Sequence, residues 1–190
     1  MNIVCIAWGS LLWKPGPLKL ASGWHPGGAL LPLEFARDSD DSDELALVLC
    51  PGAPPAPTYW AYVDAPDLAA ARAMLAAREK IAPGHPEFIG SIPAVGGAPV
   101  QHEIAAWLSA RRIDAAIWTA LPPKFAGSGG RKPSATEVVA FLASLEGETR
   151  QAAEFYLRRT PPHIDTPYRR VIARSLGWHP LREAGVTRMR

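Results

Sequence analysis

The chain has 190 residues, 48% of them hydrophobic, and a formal net charge of +2 at pH 7. That length and apolar content suffice for one domain spanning residues 1–190 with a full core, and the weak basicity argues against nucleic acid as a partner. No basic segment precedes the first apolar run, and Lys14 and several prolines interrupt that run before a signal peptide or membrane span is complete, so we expect a cytoplasmic protein without membrane association.

The first predicted strand, residues 2–8, leads directly into a Gly-Ser-Leu turn at residues 9–11. Successive N–H groups in such a turn form a nest for an anion, and Gly9 would let a ligand approach the main chain without an intervening side chain. The turn therefore predicts a binding site for a carboxylate. Ser10 is not expected to be a nucleophile, because alanine and leucine stand where a GxSxG elbow needs glycines.

Three further strands are predicted before the first helix. They cover residues 29–36, Leu45–Leu49 and 58–63, with an acidic link at 38–43 and a proline-rich run at 51–57 that is typical of a sheet edge. Cys5 and Cys50 lie in apolar runs, so we expect both to be buried and reduced. Alternation along the strand places Glu34 opposite its two apolar neighbours, and we expect its side chain to face solvent.

An alanine-rich helix is predicted over residues 67–80, with leucine, alanine and methionine at helical spacing and a Pro-Gly breaker at 83–84. Glu79 lies in its last turn. The helix dipole disfavours a negative charge there and raises the pKa of a carboxyl, whereas the neighbouring Arg78 and Lys80 lower it. The sequence leaves the balance of these effects on the pKa open, and Glu79 is a candidate proton carrier.

Helices predominate in the second half of the chain. The first predicted elements there are an extended segment at 88–95, a helix at Gln101–Arg111, a buried strand at 115–121 and a loop at 127–133. A capping box at Ser134 and Glu137 then starts a helix to about Leu145. A second helix at 148–159, an irregular segment at 161–168 and a short helix at 169–176 followed by Gly177 complete the prediction. Strands early and helices late predict an α+β domain, with a mixed, curled sheet or a small β-barrel and helices packed outside it.

Several weaker motifs favour ordinary structural roles. The Gly-rich segment at 127–134 does not match a Walker loop, because Pro133 separates Lys132 from Ser134. The five histidines lack the spacing of a metal site, so no metal is predicted. The arginines of residues 150–190 could form a nucleic-acid-binding face, and this stays an alternative that requires steeply salt-dependent affinity.

Two short segments resemble the γ-glutamylcyclotransferase-like superfamily, most closely its ChaC-type branch. They are Gly-Ser-Leu followed by Trp-Lys-Pro at residues 9–15, and Leu-Ala-Ala-Arg-Glu-Lys at residues 75–80. The resemblance implies a small barrel-like mixed fold, a turn whose N–H groups at Gly9, Ser10 and Leu11 hold the glutamyl part of the substrate, and Glu79 as the catalytic residue. The chain departs from that branch where Trp8 replaces a tyrosine, offering an indole N–H in place of a phenol, and where Ile-Ala-Pro-Gly follows at 81–84 in place of Gly-Gly-Tyr.

The implied reaction needs no nucleophilic side chain, cofactor or metal. The α-amino group of a γ-glutamyl compound closes on its own γ-carbonyl, giving 5-oxoproline and expelling an amine. One carboxyl, Glu79, would take the proton from the ammonium and return it to the leaving nitrogen. We therefore expect a γ-glutamylcyclotransferase-type lyase or acyltransferase acting on a small γ-glutamyl amine or peptide, with glutathione as one candidate. The alternative is a non-catalytic protein of the same fold that binds a small molecule or a partner.

Further side chains are candidates for this site. Glu87, in the loop after the helix, could close over it. Tyr168 could supply a hydroxyl contact in place of the missing tyrosine, with Arg169 available for a carboxylate, and Tyr59 and Tyr62 are weaker candidates for the same contact.

Overall fold

The structure, a computed structural model, describes residues 1–38, 45–93 and 100–181. Within these ranges the chain forms two mixed β-sheets and five α-helices, so the α+β prediction is confirmed. The small β-barrel offered as one variant of that prediction is wrong, because the described strands pair in two separate sheets that do not close on each other.

The first sheet has the strand order β2-β6-β1-β8-β7. Its strands are β1 (Ile3–Ala7), β2 (His25–Pro26), β6 (Tyr59–Tyr62), β7 (Ile89–Ile92) and β8 (Ala115–Thr119). The central strand β1 is antiparallel to β6 and parallel to β8. All five residues of β1 are buried, as is typical of a strand covered on both faces.

The second sheet has the order β10-β9-β3-β4, with β5 paired to the start of β3. Its strands are β3 (Leu31–Asp38), β4 (Leu45–Leu49), β5 (Pro55–Ala56), β9 (Lys124–Phe125) and β10 (Ser128–Gly129). The register of β3 and β4 shifts between Phe35 and Arg37, which marks a β-bulge. β3 is largely buried and contributes Leu31, Leu33 and Phe35 to the core.

The helices are α1 (Leu68–Arg78), α2 (Gln101–Arg111), α3 (Ala135–Ser144), α4 (Gly147–Arg159) and α5 (Pro167–Leu176). Two large apolar clusters of the described residues lie on opposite faces of the first sheet, and a small third cluster lies at β3 and β4. Alternate residues of β1 enter different clusters: Val4 and Ile6 pack with α2–α5 and the second sheet, whereas Ile3 and Cys5 pack against α1. The larger cluster therefore joins the two sheets, and α1 covers the opposite face of the first sheet.

Helix caps account for most predicted boundaries. Asp67 caps α1 by accepting a hydrogen bond from the N–H of Ala70, and the capping box of Ser134 and Glu137 at the start of α3 is confirmed. The predicted irregular segment at 161–168 is wrong at its end, because Thr166 caps α5 with Pro167 in the first turn. Gly177 ends α5 in the left-handed conformation, as predicted.

Other predictions are tested in part. Cys5 and Cys50 are both buried and unpaired. Residues 39–43 of the acidic link and the end of the extended segment at 88–95 lie outside the described residues, as does the end of the arginine-rich stretch. None of the helices in the described part of the chain combines the length and apolar character needed to cross a membrane.

Candidate active site

A cleft of about 1190 Å³ opens where β1 and β8 end. Because these strands are parallel, their carboxyl ends lie at the same edge of the sheet, which is where α/β proteins commonly bind ligands. The register that pairs Ile3 with Ala115, continued along the strands, brings Thr119 level with Ala7. The cleft is completed by the end of α1, by β4 of the second sheet and by α4.

The predicted turn forms one wall of this cleft. Gly9–Leu12 is a single 3₁₀ turn in which the carbonyl of Ser10 accepts hydrogen bonds from the N–H groups of Trp13, at 3.2 Å, and Lys14, at 2.8 Å. The first N–H groups of such a turn have no acceptor within it. Ser10 and Leu11 line the cleft, so the turn forms part of its wall.

Gly9 has a role that the sequence did not indicate. Its φ is +64°, and a Cβ at this position would lie 2.4 Å from the hydroxyl oxygen of Tyr156 on α4. The space that a side chain at residue 9 would fill is therefore occupied by the phenol of Tyr156, so this packing requires glycine at that position. The Tyr156 hydroxyl also accepts a hydrogen bond from the N–H of Leu47 at 3.2 Å.

Trp8 lines the cleft but does not offer its indole N–H to a ligand. That N–H donates to the carbonyl of Leu47 at 2.8 Å, and the side chain is buried. The indole N–H is therefore used within the protein, and a role of Trp8 in substrate binding stays a prediction. Trp8 and Tyr156 bind the carbonyl and the N–H of the same β4 residue, which ties the two sheets and α4 together at the cleft.

Glu79 is the C-cap residue of α1, and its side chain is 17% exposed. The hydroxyl of Thr119 donates to Glu79 Oε1 at 3.2 Å, and Arg78 Nη1 lies 3.6 Å from Glu79 Oε2. Burial raises the pKa of Glu79, whereas Arg78 and the Thr119 hydroxyl lower it, and the net direction is upward. The sequence alone left that balance open.

Arg78 connects Glu79 with the turn. Its Nε donates to the carbonyl of Lys14 at 2.9 Å, and its Nη2 donates to Ser10 Oγ at 3.0 Å. The guanidinium thereby fixes the end of α1 against the 3₁₀ turn, in addition to its charge effect on Glu79. The sequence offered one signal of this role, the position of Arg78 directly before Glu79, but gave no indication of its distant partners.

Two other sequence candidates lie outside the cleft. Glu87 is exposed and does not line it; hydrogen bonds from its own N–H and from His85, whose Nδ1 lies 3.0 Å from Glu87 Oε1, lower the pKa of Glu87. Tyr168 begins α5, where its hydroxyl donates to the carbonyl of Pro133 at 2.6 Å. The tyrosine that lines the cleft is Tyr156, which the sequence did not single out.

The companions proposed for Tyr168 also have other contacts. Arg169 is buried, and its guanidinium donates to the carbonyl oxygens of Leu157, Thr160, Pro161 and Ile164, so it is not available for a substrate carboxylate. Burial lowers the pKa of Arg169 to about 10. Tyr59 packs against His163, and Tyr62 packs against Trp60, on the first sheet.

Glu34 is buried, and the expectation that it faces solvent is wrong. It is 1% exposed and accepts hydrogen bonds from the Thr166 hydroxyl at 2.5 Å and from the N–H groups of Phe35 at 2.9 Å and Tyr168 at 3.2 Å. Burial raises its pKa, and these hydrogen bonds oppose the rise. Glu34 joins the second sheet to the start of α5.

The charged residues that line the cleft are mostly cationic. Among the lining residues that the structure describes, Glu79 is the one carboxylate, and four are cations: Lys14, Arg37, Arg78 and Lys80. Among the described residues, no three His, Cys, Asp or Glu side chains converge as metal ligands do.

No protein-family model, curated protein or solved structure matches this chain. The geometry of the cleft and the motif resemblance are therefore the basis for the function proposed below.

Proposed function

We propose that this protein is a γ-glutamylcyclotransferase-like enzyme that releases 5-oxoproline from a γ-glutamyl amine or peptide. The main support is that Glu79 and the 3₁₀ turn line the same cleft. Arg78, next to Glu79, joins them by donating to Ser10, which is 68 residues away in the chain. These are the two segments on which the superfamily resemblance depends. A cytoplasmic location is part of the proposal, since two free thiols are typical of a reducing compartment.

Glu79 would act in turn as the proton acceptor and the proton donor of the reaction. As the carboxylate, it takes a proton from the α-ammonium of the substrate, and the resulting amine attacks the γ-carbonyl carbon to form the five-membered ring. In the tetrahedral intermediate the ring nitrogen still carries two protons. The bond between the γ-carbon and the leaving nitrogen breaks as Glu79 returns its proton to that nitrogen. The Glu79 carboxylate then takes the second proton from the ring nitrogen, giving the lactam, and passes it to the released amine, which leaves as an ammonium ion. Its raised pKa makes Glu79 a stronger base than an exposed carboxylate and suits these transfers.

The rest of the cleft would hold the substrate in a bent conformation. The N–H groups of the turn would bind the glutamyl α-carboxylate, which places the α-nitrogen within reach of the γ-carbonyl. Thr119 and Arg78 hold the Glu79 carboxyl in place by contacting its two oxygens. Intramolecular attack then needs only correct folding of the substrate and proton transfer.

The test is 5-oxoproline release from a panel of γ-glutamyl compounds, glutathione included, by the wild-type protein and Glu79→Gln. We expect turnover by the wild type and a loss of roughly 10²- to 10⁴-fold in kcat for the variant, because the amide cannot exchange the proton. Glu103→Gln, which makes the same change at an exposed position of α2, is the matched control and should retain full activity.

Full activity of Glu79→Gln would remove Glu79 from the mechanism. A folded wild-type protein that turns over none of the compounds would contradict the enzymatic proposal. If such a protein still bound γ-glutamyl compounds in calorimetry, the alternative of a non-catalytic binding protein would take its place.

A further inference from the structure

Trp13 and Phe155 line the cleft, and Arg159, which does not itself line it, packs on both rings. We call these three side chains the rim. Phe155 is 50% exposed, and it is the one large exposed apolar side chain of the described residues that lines the cleft. Trp13 lines the cleft beside it and packs edge to face on Tyr156, with ring centroids 5.7 Å apart.

The two rings hold the guanidinium of Arg159. Its central carbon lies 5.2 Å from the ring centroid of Trp13 and 5.3 Å from that of Phe155, within cation–π distance of both. Phe155 and Arg159 are four residues apart on α4 and therefore share one face of the helix. Two aromatic contacts restrict an otherwise flexible side chain and fix the guanidinium at the rim.

The hydrogen-bond donors of Arg159 are not used within the described part of the chain, where they meet neither a carboxylate nor a carbonyl oxygen. Neighbouring arginines differ in this respect. Arg158 donates to Glu154 and to the carbonyl of His179, and Arg169 donates to four carbonyl oxygens. Arg159 is exposed, and its guanidinium is held beside two residues that line the cleft.

We propose that Arg159 is a specificity-determining residue that binds a carboxylate on the leaving amine of the substrate. This inference rests on the proposed function, which places the glutamyl part at the turn and leaves the mouth for the leaving group. A guanidinium pairs with a carboxylate through two parallel hydrogen bonds, a geometry that a neutral amine cannot satisfy. The excess of cations that line the cleft adds a field that attracts an anionic group.

The test compares γ-glutamylglycine with γ-glutamylethylamide, which differ in the leaving group by one carboxylate. For Arg159→Gln we expect kcat/KM to fall roughly 5- to 50-fold on γ-glutamylglycine, mainly through KM, with γ-glutamylethylamide unchanged, since a hydrogen bond to a charged group is lost with only one of the two. Arg159→Lys should recover part of the loss. Arg174→Gln, the same charge change at an exposed position of α5, should alter neither rate.

An equal loss on both substrates would overturn the proposal, because it would indicate a structural role. If the wild type turned over neither compound, calorimetry of both compounds with wild type and Arg159→Gln would still decide it. Tighter binding of γ-glutamylglycine that disappears in the variant supports the role of Arg159 although the proposed enzymatic activity has failed. Equal affinity for the two compounds, or no binding of either, overturns it.

Discussion

Glu34 and Glu79 are both largely shielded from water, but their surroundings and their inferred roles differ. Burial raises the pKa of both. Glu34 lies at the start of α5 and accepts three hydrogen bonds, whereas Glu79 lies at the end of α1 and accepts one, from Thr119, while lining the cleft. A helix start offers free N–H groups that saturate a carboxylate, and a helix end offers only carbonyl oxygens. The second arrangement leaves a carboxyl able to exchange a proton with a ligand.

The largest difference is expected in stability at neutral pH, for the same substitution at each position. Glu34→Gln replaces an acceptor oxygen by an amide NH₂ that faces N–H or O–H donors, and it should lower the free energy of unfolding by about 1–3 kcal/mol. Glu79→Gln should not destabilise the protein, because the amide oxygen can still accept from Thr119. Urea unfolding followed by circular dichroism measures both. Equal losses at the two positions would contradict the comparison.

The second test removes the Thr166 hydroxyl, which donates a hydrogen bond to Glu34. Thr166 donates to Glu34 and also caps α5 by accepting from the N–H of Arg169, so Thr166→Val removes two interactions. We expect a loss of about 1–2 kcal/mol in unfolding free energy, the usual effect of deleting a cap. The rate of the proposed cyclisation per folded molecule should not change. A large fall in that rate would indicate that α5 contributes to the candidate active site.

The unfolding free energy of the wild type should depend on pH differently from that of Glu79→Gln. In the folded state the pKa of Glu79 is raised, so between the unfolded and folded pKa values the folded protein binds more protons than the unfolded chain. This contribution to stability is fully present below the ordinary glutamate pKa and is lost as pH rises through the folded pKa. Wild type should therefore lose stability relative to Glu79→Gln over that interval, as thermal unfolding at a series of pH values would show. Parallel curves would contradict a buried, titrating Glu79.

The smallest effect is expected from removing the Thr119 hydroxyl, which donates a hydrogen bond to Glu79. The Thr119 hydrogen bond lowers the pKa of Glu79, so Thr119→Val should raise that pKa further. The acid limb of the pH–activity profile should then move to higher pH, with little change in unfolding free energy, since a single hydroxyl contact at 3.2 Å is lost. A shift to lower pH would show that Thr119 does not stabilise the carboxylate.

Local patterns predicted the elements and one half of the site. The strand Leu45–Leu49 and the helix Gln101–Arg111 have the predicted bounds, because apolar period and breakers are local properties. Glu79 falls at the end of α1 for the same reason, since α1 stops shortly before the Pro-Gly pair at 83–84. These features depend on neighbours within a few residues.

What the sequence did not predict depends on distant partners. Alternation shows that Glu34 opposes Leu33 and Phe35, but burial follows from α5, whose Thr166 is 132 residues away. The sequence predicted that Trp8 contacts the substrate, yet its indole N–H donates to the carbonyl of Leu47 in the other sheet. Tyr156 lies within a correctly predicted helix, and only tertiary packing turns it towards Gly9.

The contact between Gly9 and Tyr156 also sets the order in which the site is assembled during synthesis. A ribosome releases the turn, α1 and Thr119 first, so the proposed proton carrier emerges well before α4. Leu47 and Tyr156, which are 109 residues apart, can meet only once α4 has been made. A nascent chain that stops short of α4 therefore contains Glu79 but lacks one wall of the cleft, and we expect such a chain to be inert.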